Sequence, residues 1–436
     1  MAEYLCVFLV LLVATLVLQF WVAHKMHITW LPEAGATVLL GMFISGLIRA
    51  SGNDTTEGDT SYLGFNSTIF FIGFLPPIIY NAGYSLKRRL FFANMGGIVS
   101  LAIIGTLISA ILVGFCLTGL GAVGASSKIT LMEGMTFGSL ISATDPVSTL
   151  AVFTELKVDP NLFYLVFGES VLNDAIAITL FKTFSKFVGL PLGPADMFIA
   201  FVDFLVIFIG SALIGYVLGL AAAFFFKVVD LTHYRLLLVS IFVAMVYIPF
   251  LFAEAIQLSG IVTILFTSIT TKRYCEKNIP AEAKRAGAFV FELMAYLSET
   301  AVFLFLGMAV FSKSSGSNYR ADTIFWTLFL CLVGRLHVYP LLSWVNSYRE
   351  KRAIEKNRRP NLIPPNMKHM IYFSGLRGAV AYALANIFPD EEGNRGMFIA
   401  TTMVIVLLTI FINGGATVFL LKTFNIDTGV NFNDYV

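Results

Sequence analysis

The chain has 436 residues, 57% of them hydrophobic and 13% charged, with 29 Lys and Arg against 27 Asp and Glu. A soluble domain carries about 25% charged residues, and a disordered one is poor in apolar residues, so both classes are excluded. A net charge of +2 leaves no basic domain to track phosphates, which argues against a nucleic-acid partner. With a mean hydropathy of +0.82, the composition is that of an all-α polytopic membrane protein.

A hydrocarbon core of about 30 Å takes roughly 20 apolar residues per helix. Taken in chain order, apolar runs predict thirteen spans, at about 4–23, 33–48, 68–83, 93–117, 130–153, 161–181, 198–226, 236–254, 260–271, 288–311, 323–344, 369–388 and 398–421. The ninth is too short to cross unaided. The N-terminus lacks a basic n-region and a cleavage site, so the first helix is expected to be retained. The chain reads as one transmembrane domain over 1–436, with a short tail at 422–436.

Cytoplasmic loops of membrane proteins are enriched in Lys and Arg. Loops after odd-numbered spans hold 20 of the 29 basic residues and loops after even-numbered spans hold seven. This predicts a lumenal or extracellular N-terminus and a cytosolic C-terminus. Two glycosylation sequons, at Asn53 and Asn66, fall in a loop on the non-cytosolic side.

Three spans carry interruptions. Span three contains Pro76-Pro77, which predicts a kink. Span five contains Ser142-Ala143-Thr144-Asp145-Pro146 at mid-depth, and proline disfavours helix at the preceding residue. Span twelve holds Ser374-Gly375-Leu376-Arg377-Gly378, a second predicted break. Spans five and twelve lie seven apart, and this odd offset gives them opposite directions in the membrane. That is the pattern of two inverted six-helix repeats, at about 4–181 and 236–421, joined by a linker helix at about 198–226. Unwound helices at matching positions of inverted repeats mark the midplane site of a secondary transporter.

Ionisable residues inside a bilayer are costly and by default functional. Asp174 of span six is predicted to lie beside the break at Asp145, where one carboxylate would take either a proton or a small cation. Asn173, Ser142, Thr144 and Ser170 supply oxygens suited to a hard cation. A purely structural aspartate is the alternative. Glu169, 140° away from Asp174 around the helix, needs a cationic partner; of Arg335 and Arg377, Arg335 is favoured. Arg377 would either offset charge at the crossover or satisfy freed carbonyls. Glu299 is deep in span ten, with no partner assignable from spacing, and Glu254 and Asp203 are expected to be solvated. The five histidines do not cluster with carboxylates, so neither a metal centre nor a cofactor is expected.

The segments Phe74 to Tyr84, Ser142 to Val147, Phe167 to Ala175, Ser298-Glu299-Thr300 with Phe305 to Met308, and Gly375 to Ala381 come in order along the chain. In these motifs the sequence resembles the eukaryotic sodium/proton exchangers of the cation/proton antiporter superfamily. The resemblance implies a bacterial sodium/proton antiporter-like fold with crossing broken helices, and Asp174 as the ion- and proton-carrying residue, supported by Asp145. It also implies an Asn-Asp pair of the electroneutral type at Asn173-Asp174, an ion pair of Glu169 with Arg335, and a structural role for Arg377. A homodimer in a lipid membrane moving Na+ or K+ against H+ by an elevator-like movement completes the expectation. Ser259 matches a segment near the ion pathway, as Glu299 does. The run from Ala82 to Arg89 looks like the endosomal or Golgi branch, whereas Asn81 departs from the acid of many plasma-membrane members. A cation channel and an intramembrane aspartyl protease using Asp145 and Asp174 are the competing functions.

Overall fold

A computed structural model describes residues 2–22, 31–50, 67–190, 196–231, 233–311, 318–357 and 360–430. Asn53 and Asn66 lie outside these residues. Among the described residues the secondary structure is helical throughout, in thirteen passages. Eight helices are long and apolar enough to cross a membrane: Glu33–Ala50, Arg89–Val123, Pro160–Ser185, Phe198–Val228, Leu236–Ala255, Ala281–Ala309, Ala321–Glu355 and Arg395–Thr423. A shorter apolar helix, Cys6–Phe20, forms the first passage. The remaining four passages are the third at 67–85, the fifth as Leu131–Ser142 and Val147–Glu155, the ninth as Gly260–Tyr274, and the twelfth as Pro365–Phe373 and Ala379–Asn386.

Local sequence explains the boundaries. Thr130 and Glu133 form a capping box that opens Leu131–Ser142, satisfying backbone donors with no partner inside the helix. Asp159 caps Pro160–Ser185 by accepting from Asn161 N at 2.7 Å, with Pro160 in the first turn, where its missing N–H costs nothing. Ser259 caps Gly260–Tyr274. Gly124, at φ 83°, ends span four in the left-handed region that glycine alone enters freely.

Two boundaries differ from the apolar pattern. Span eleven continues to Glu355 because Arg349, Lys351 and Arg352 are good helix formers, although their charge ends the apolar run at about 344. The tail is also engaged: Gly429 N and Val430 N donate to Leu156 O and Lys157 O at 2.9 and 3.0 Å.

The chain forms two compact units. The first comprises Met1–Phe65, Arg88–Leu190 and Phe303–Val436; the second comprises Asn66–Lys87 and Pro191–Val302. These units cut across the two sequence repeats, since spans five and twelve both belong to the first. Span six is the central helix of that unit, with 89% of its most apolar stretch buried. Span seven, in the second unit, has 28% buried and presents an apolar outer face that includes Phe198, Leu213 and Phe224.

π-helical turns interrupt helices at Phe70–Phe74, Ser100–Gly105 and Ile410–Gly414, and span eleven has a tight 3-10 turn at Arg335–His337. Such irregular turns free backbone groups and re-aim side chains, and they concentrate at functional sites.

Candidate ion site at the crossing of two broken helices

The unwound segments of spans five and twelve meet. Asp145 N donates to Leu376 O at 2.9 Å, so each break supplies a partner for a backbone group that the other has freed. Non-helical backbone at membrane depth requires this internal satisfaction. Gly378 permits the approach: the side chain of Asp145 occupies the space that a Cβ at that position would need. Gly375 does the same for Arg335, whose Nε would lie 2.6 Å from an added Cβ.

Four half-helix ends converge here, and the charged side chains follow their polarity. Helix N-termini carry partial positive charge and C-termini partial negative charge. Arg377 Nη1 donates to Ser142 O at 2.9 Å and Ala143 O at 3.2 Å, at the C-terminal end of Leu131–Ser142. Arg335 Nη2 donates to Ile371 O at 3.0 Å, near the C-terminal end of Pro365–Phe373. Asp145 sits at the opposite polarity. Its Oδ1 accepts from Val147 N at 3.2 Å, at the start of Val147–Glu155, and its side chain lies against Gly378, the N-cap of Ala379–Asn386.

Span six brings the other residues to this crossing. Arg335 donates to both carboxylate oxygens of Glu169, with Nη2 at 3.1 Å from Oε2, and both residues are buried. Ser170 Oγ donates to Thr144 O at 2.9 Å. Asn173 Nδ2 donates to Thr144 Oγ1 at 2.7 Å and Ser142 O at 3.2 Å, while its Oδ1 accepts from Thr106 Oγ1 at 2.8 Å. The side-chain carbonyl of Asn173, expected from the sequence to face a cation, is thus occupied by a hydroxyl of span four. Ser142 Oγ likewise donates to Gly138 O at 2.7 Å. Asn173, Ser142, Thr144 and Ser170 are thus tied to one another, to Thr106 and to Gly138 O.

Asp174 stands apart from that network. It is 8% exposed, it lies within electrostatic range of Asp145, and its Oδ1 is buried without a hydrogen-bond partner. A buried polar atom left unmatched costs about 1 to 3 kcal/mol, more if charged. The crossing therefore holds one carboxylate oxygen open to a proton or to a hard cation.

Two sequence candidates lie elsewhere. Ser259 and Glu299 belong to the second compact unit. Ser259 Oγ accepts from Val262 N and its own N–H donates to Ser211 Oγ, so it is engaged as a helix cap. Glu254, expected to be solvated, accepts from Gly260 N at 2.9 Å in the same turn.

Sequence reasoning passed over Thr106, Thr409 and Glu133. Thr409 Oγ1 accepts from Arg377 N at 3.1 Å. Thr106 follows the π-helical turn at Ser100–Gly105, and Thr409 precedes the one at Ile410–Gly414; a lone threonine in an apolar run gives no signal of either. Glu133 is 1% exposed and also accepts from Asn394 Nδ2 at 3.0 Å, and its signal was available in the Thr-x-x-Glu spacing.

Broken helices that cross between repeats, with buried charges matched to their ends, define a secondary transporter rather than an enzyme. The chain matches the profile described as "Sodium/hydrogen exchanger, transmembrane" over residues 8–423. It is 36% identical to an uncharacterized Na(+)/H(+) antiporter of Schizosaccharomyces pombe, over 98% of this chain and 74% of that protein. Sodium/hydrogen exchanger 8 of Homo sapiens is 35% identical over 96% of this chain and 71% of that protein. Among solved structures, the sodium proton antiporter MjNhaP1 of Methanocaldococcus jannaschii superposes with a TM-score of 0.70 at 18% identity, covering 97% of this chain and 99% of that one. The chain belongs to the eukaryotic sodium/hydrogen exchanger family and has the all-α fold of that antiporter. It is a multi-pass membrane protein that carries out secondary Na+/H+ antiport; the channel and protease readings are not favoured.

Proposed function

We propose that Asp174 is the single exchanged site of an electroneutral antiporter that trades one Na+ or K+ for one H+ by alternating access. The observation that carries this reading is the partnerless Oδ1 of Asp174, buried beside the crossing. Proton and cation compete for one carboxylate, because a bound cation favours the charged form. Raising the cation concentration therefore moves the apparent protonation midpoint to lower pH.

The neighbour that could have been a second exchanged acid is Asn173, a neutral amide engaged at both ends. Asp145 is engaged at two half-helix N-termini, accepting from Val147 N and lying against Gly378, whereas Asp174 keeps an oxygen open. One carboxylate changes ligand per turn, so no net charge moves. In this reading Asp145, Thr144, Ser142 and Ser170 shape the cation's surroundings through the crossing, with freed carbonyls as further ligands. Glu169 and Arg335 form a structural ion pair, and Arg377 compensates the carbonyl end of Leu131–Ser142.

Ser259 and Glu299 belong to the proposed ion pathway. The basic-residue bias supports a lumenal or extracellular N-terminus with glycosylation at Asn53 and Asn66, and a cytosolic C-terminus. The run from Ala82 to Arg89 supports an endosomal or Golgi membrane. A homodimer in a lipid bilayer is the proposed assembly.

The test is pH-gradient-driven uptake of Na+, K+ and Li+ into proteoliposomes, with the membrane voltage clamped or free and Asp174→Asn as control. Uptake that is independent of voltage and absent in the variant is expected. Voltage-dependent flux, or flux that survives in Asp174→Asn, would overturn the one-for-one mechanism at this residue.

A further inference from the structure

Within the first compact unit, a groove of about 870 Å³ runs between spans four and eleven. Its span-eleven wall runs from apolar to basic, and its span-four wall is apolar apart from Ser100. On span four the lining extends from Phe92 to Val99 and Ile104; on span eleven it extends from Trp344 and Val345 to Arg349, Arg352 and Lys356. Twelve residues of helix separate Phe92 from Ile104 and Trp344 from Lys356, a rise of about 18 Å. That is close to the depth of one bilayer leaflet, half of a hydrocarbon core of about 30 Å.

The polar end is built rather than incidental. Arg349 donates to Asn361 O at 3.0 Å and to Ala93 O at 3.3 Å, joining the loop after span eleven to span four. Asn346 holds the same loop through Ile363, accepting from its N–H at 3.0 Å and donating to its carbonyl at 2.8 Å. Two cations remain at the rim. Arg352 and Lys356 are exposed, lie four residues apart on one helix face, and have no ion-pair partner among the described residues. Tyr348, one turn before Arg352, is 58% exposed, as expected of an aromatic residue at a membrane interface, and Trp344, 62% exposed, lines the apolar end.

We propose that this groove is a binding site for one anionic phospholipid of the cytosolic leaflet, with its phosphate at Arg352 and Lys356 and an acyl chain against Val99, Ile104 and Trp344. The assignment to the cytosolic leaflet rests on the orientation proposed above. Charge complementarity selects the occupant: a zwitterionic lipid would fill the apolar trough, but the ammonium beside its phosphate would cancel the negative charge that the two cations call for. A free phosphate would meet the cations but leave the trough empty. Because the groove joins spans four and eleven, which carry Thr106 and Arg335 to the crossing, an occupant here bears on the helices that position the site.

The test uses the whole protein in nanodiscs and reads the fluorescence of Trp344, isolated by difference from Trp344→Phe. Brominated phosphatidylserine is titrated against brominated phosphatidylcholine. Phosphatidylserine is expected to quench at roughly tenfold lower mole fraction, since each basic residue near a surface favours anionic lipid several-fold. Arg352→Gln with Lys356→Gln, both exposed positions that leave the fold intact, should remove the preference. Gly96→Leu should exclude both lipids, because a Cβ there meets only Val345, at 3.9 Å, and the side chain would enter the groove. Inorganic phosphate should not displace the lipid. Equal quenching by the two lipids would mean an unselective trough, and absence of quenching would mean a protein segment in the groove; either overturns the proposal. So does labelling of Glu350→Cys by an impermeant maleimide from the lumenal or extracellular side alone. These readouts need no ion gradient, so an error about the exchange mechanism would leave them unchanged.

Discussion

The two compact units solve the same problem, polar groups in an apolar surrounding, in different ways. In the second unit spans seven and nine pack as unbroken helices and hydroxyls do the work. Thr263 and Thr267 of span nine donate to Ser211 O and Gly215 O of span seven, each at 3.1 Å, while Gly215 and Gly219 leave no room for a Cβ at the contact. Small residues that admit close helix approach are the usual basis of packing in membranes. Tyr80, Phe242 and Phe291 fill the space behind them with ring contacts. The first unit instead buries Glu169, Asp174, Arg335 and Arg377, with Asp145 partly exposed beside them, and breaks two helices at the site. Regular helices can bury hydroxyls by bonding them back to their own or neighbouring carbonyls. Arg335, Arg377 and Asp145 are met at helix ends, and helix ends at mid-depth require breaks.

The comparison can be broken first at the ion pair. Glu169→Arg or Arg335→Glu alone strands a buried charge, a loss of about 3 to 5 kcal/mol, seen as loss of monodisperse protein on detergent extraction. The double exchange should recover folding in part, and failure to do so would count against the pairing. Gly378→Ala comes next. Its methyl group must displace Asp145, so exchange should fall by tenfold or more, with thermal stability reduced by about 1 to 3 kcal/mol.

Thr106→Val removes the donor to Asn173 Oδ1 at a cost of about 1 to 2 kcal/mol. Because Asn173 adjoins Asp174, the pH profile of exchange should shift, whereas a threonine that acts only in packing would lower stability and leave the profile in place. The smallest effect is expected in the second unit. Thr267→Val removes an interhelical hydrogen bond worth about 0.6 kcal/mol, and the exchange rate per folded molecule should match that of the parent protein. A large loss of exchange there would mean that the two units do not divide the work as described.

Much of this was legible along the chain because it is covalent and local. The four passages that fall outside the long apolar helices include every span the sequence marked: Pro76-Pro77, Asp145-Pro146, the short ninth run, and Gly375 to Gly378. Proline, glycine and length act on the backbone where they stand, so they can be read where they stand. Apolar runs likewise set thirteen passages, because the bilayer thickness sets helix length. The capping box at Thr130 and Glu133 was equally local.

What the tertiary structure alone decided is which groups are satisfied and which are left open. Asn173 and Asp174 are adjacent in sequence, yet one is engaged by spans four and five and the other keeps a buried oxygen without a partner. Thr106, Thr409 and Gly378 gain their importance from residues 32 to 233 positions away. Hydrogen-bond satisfaction is a property of pairs, and the pairs are set by how broken helices from two sequence repeats cross within one unit.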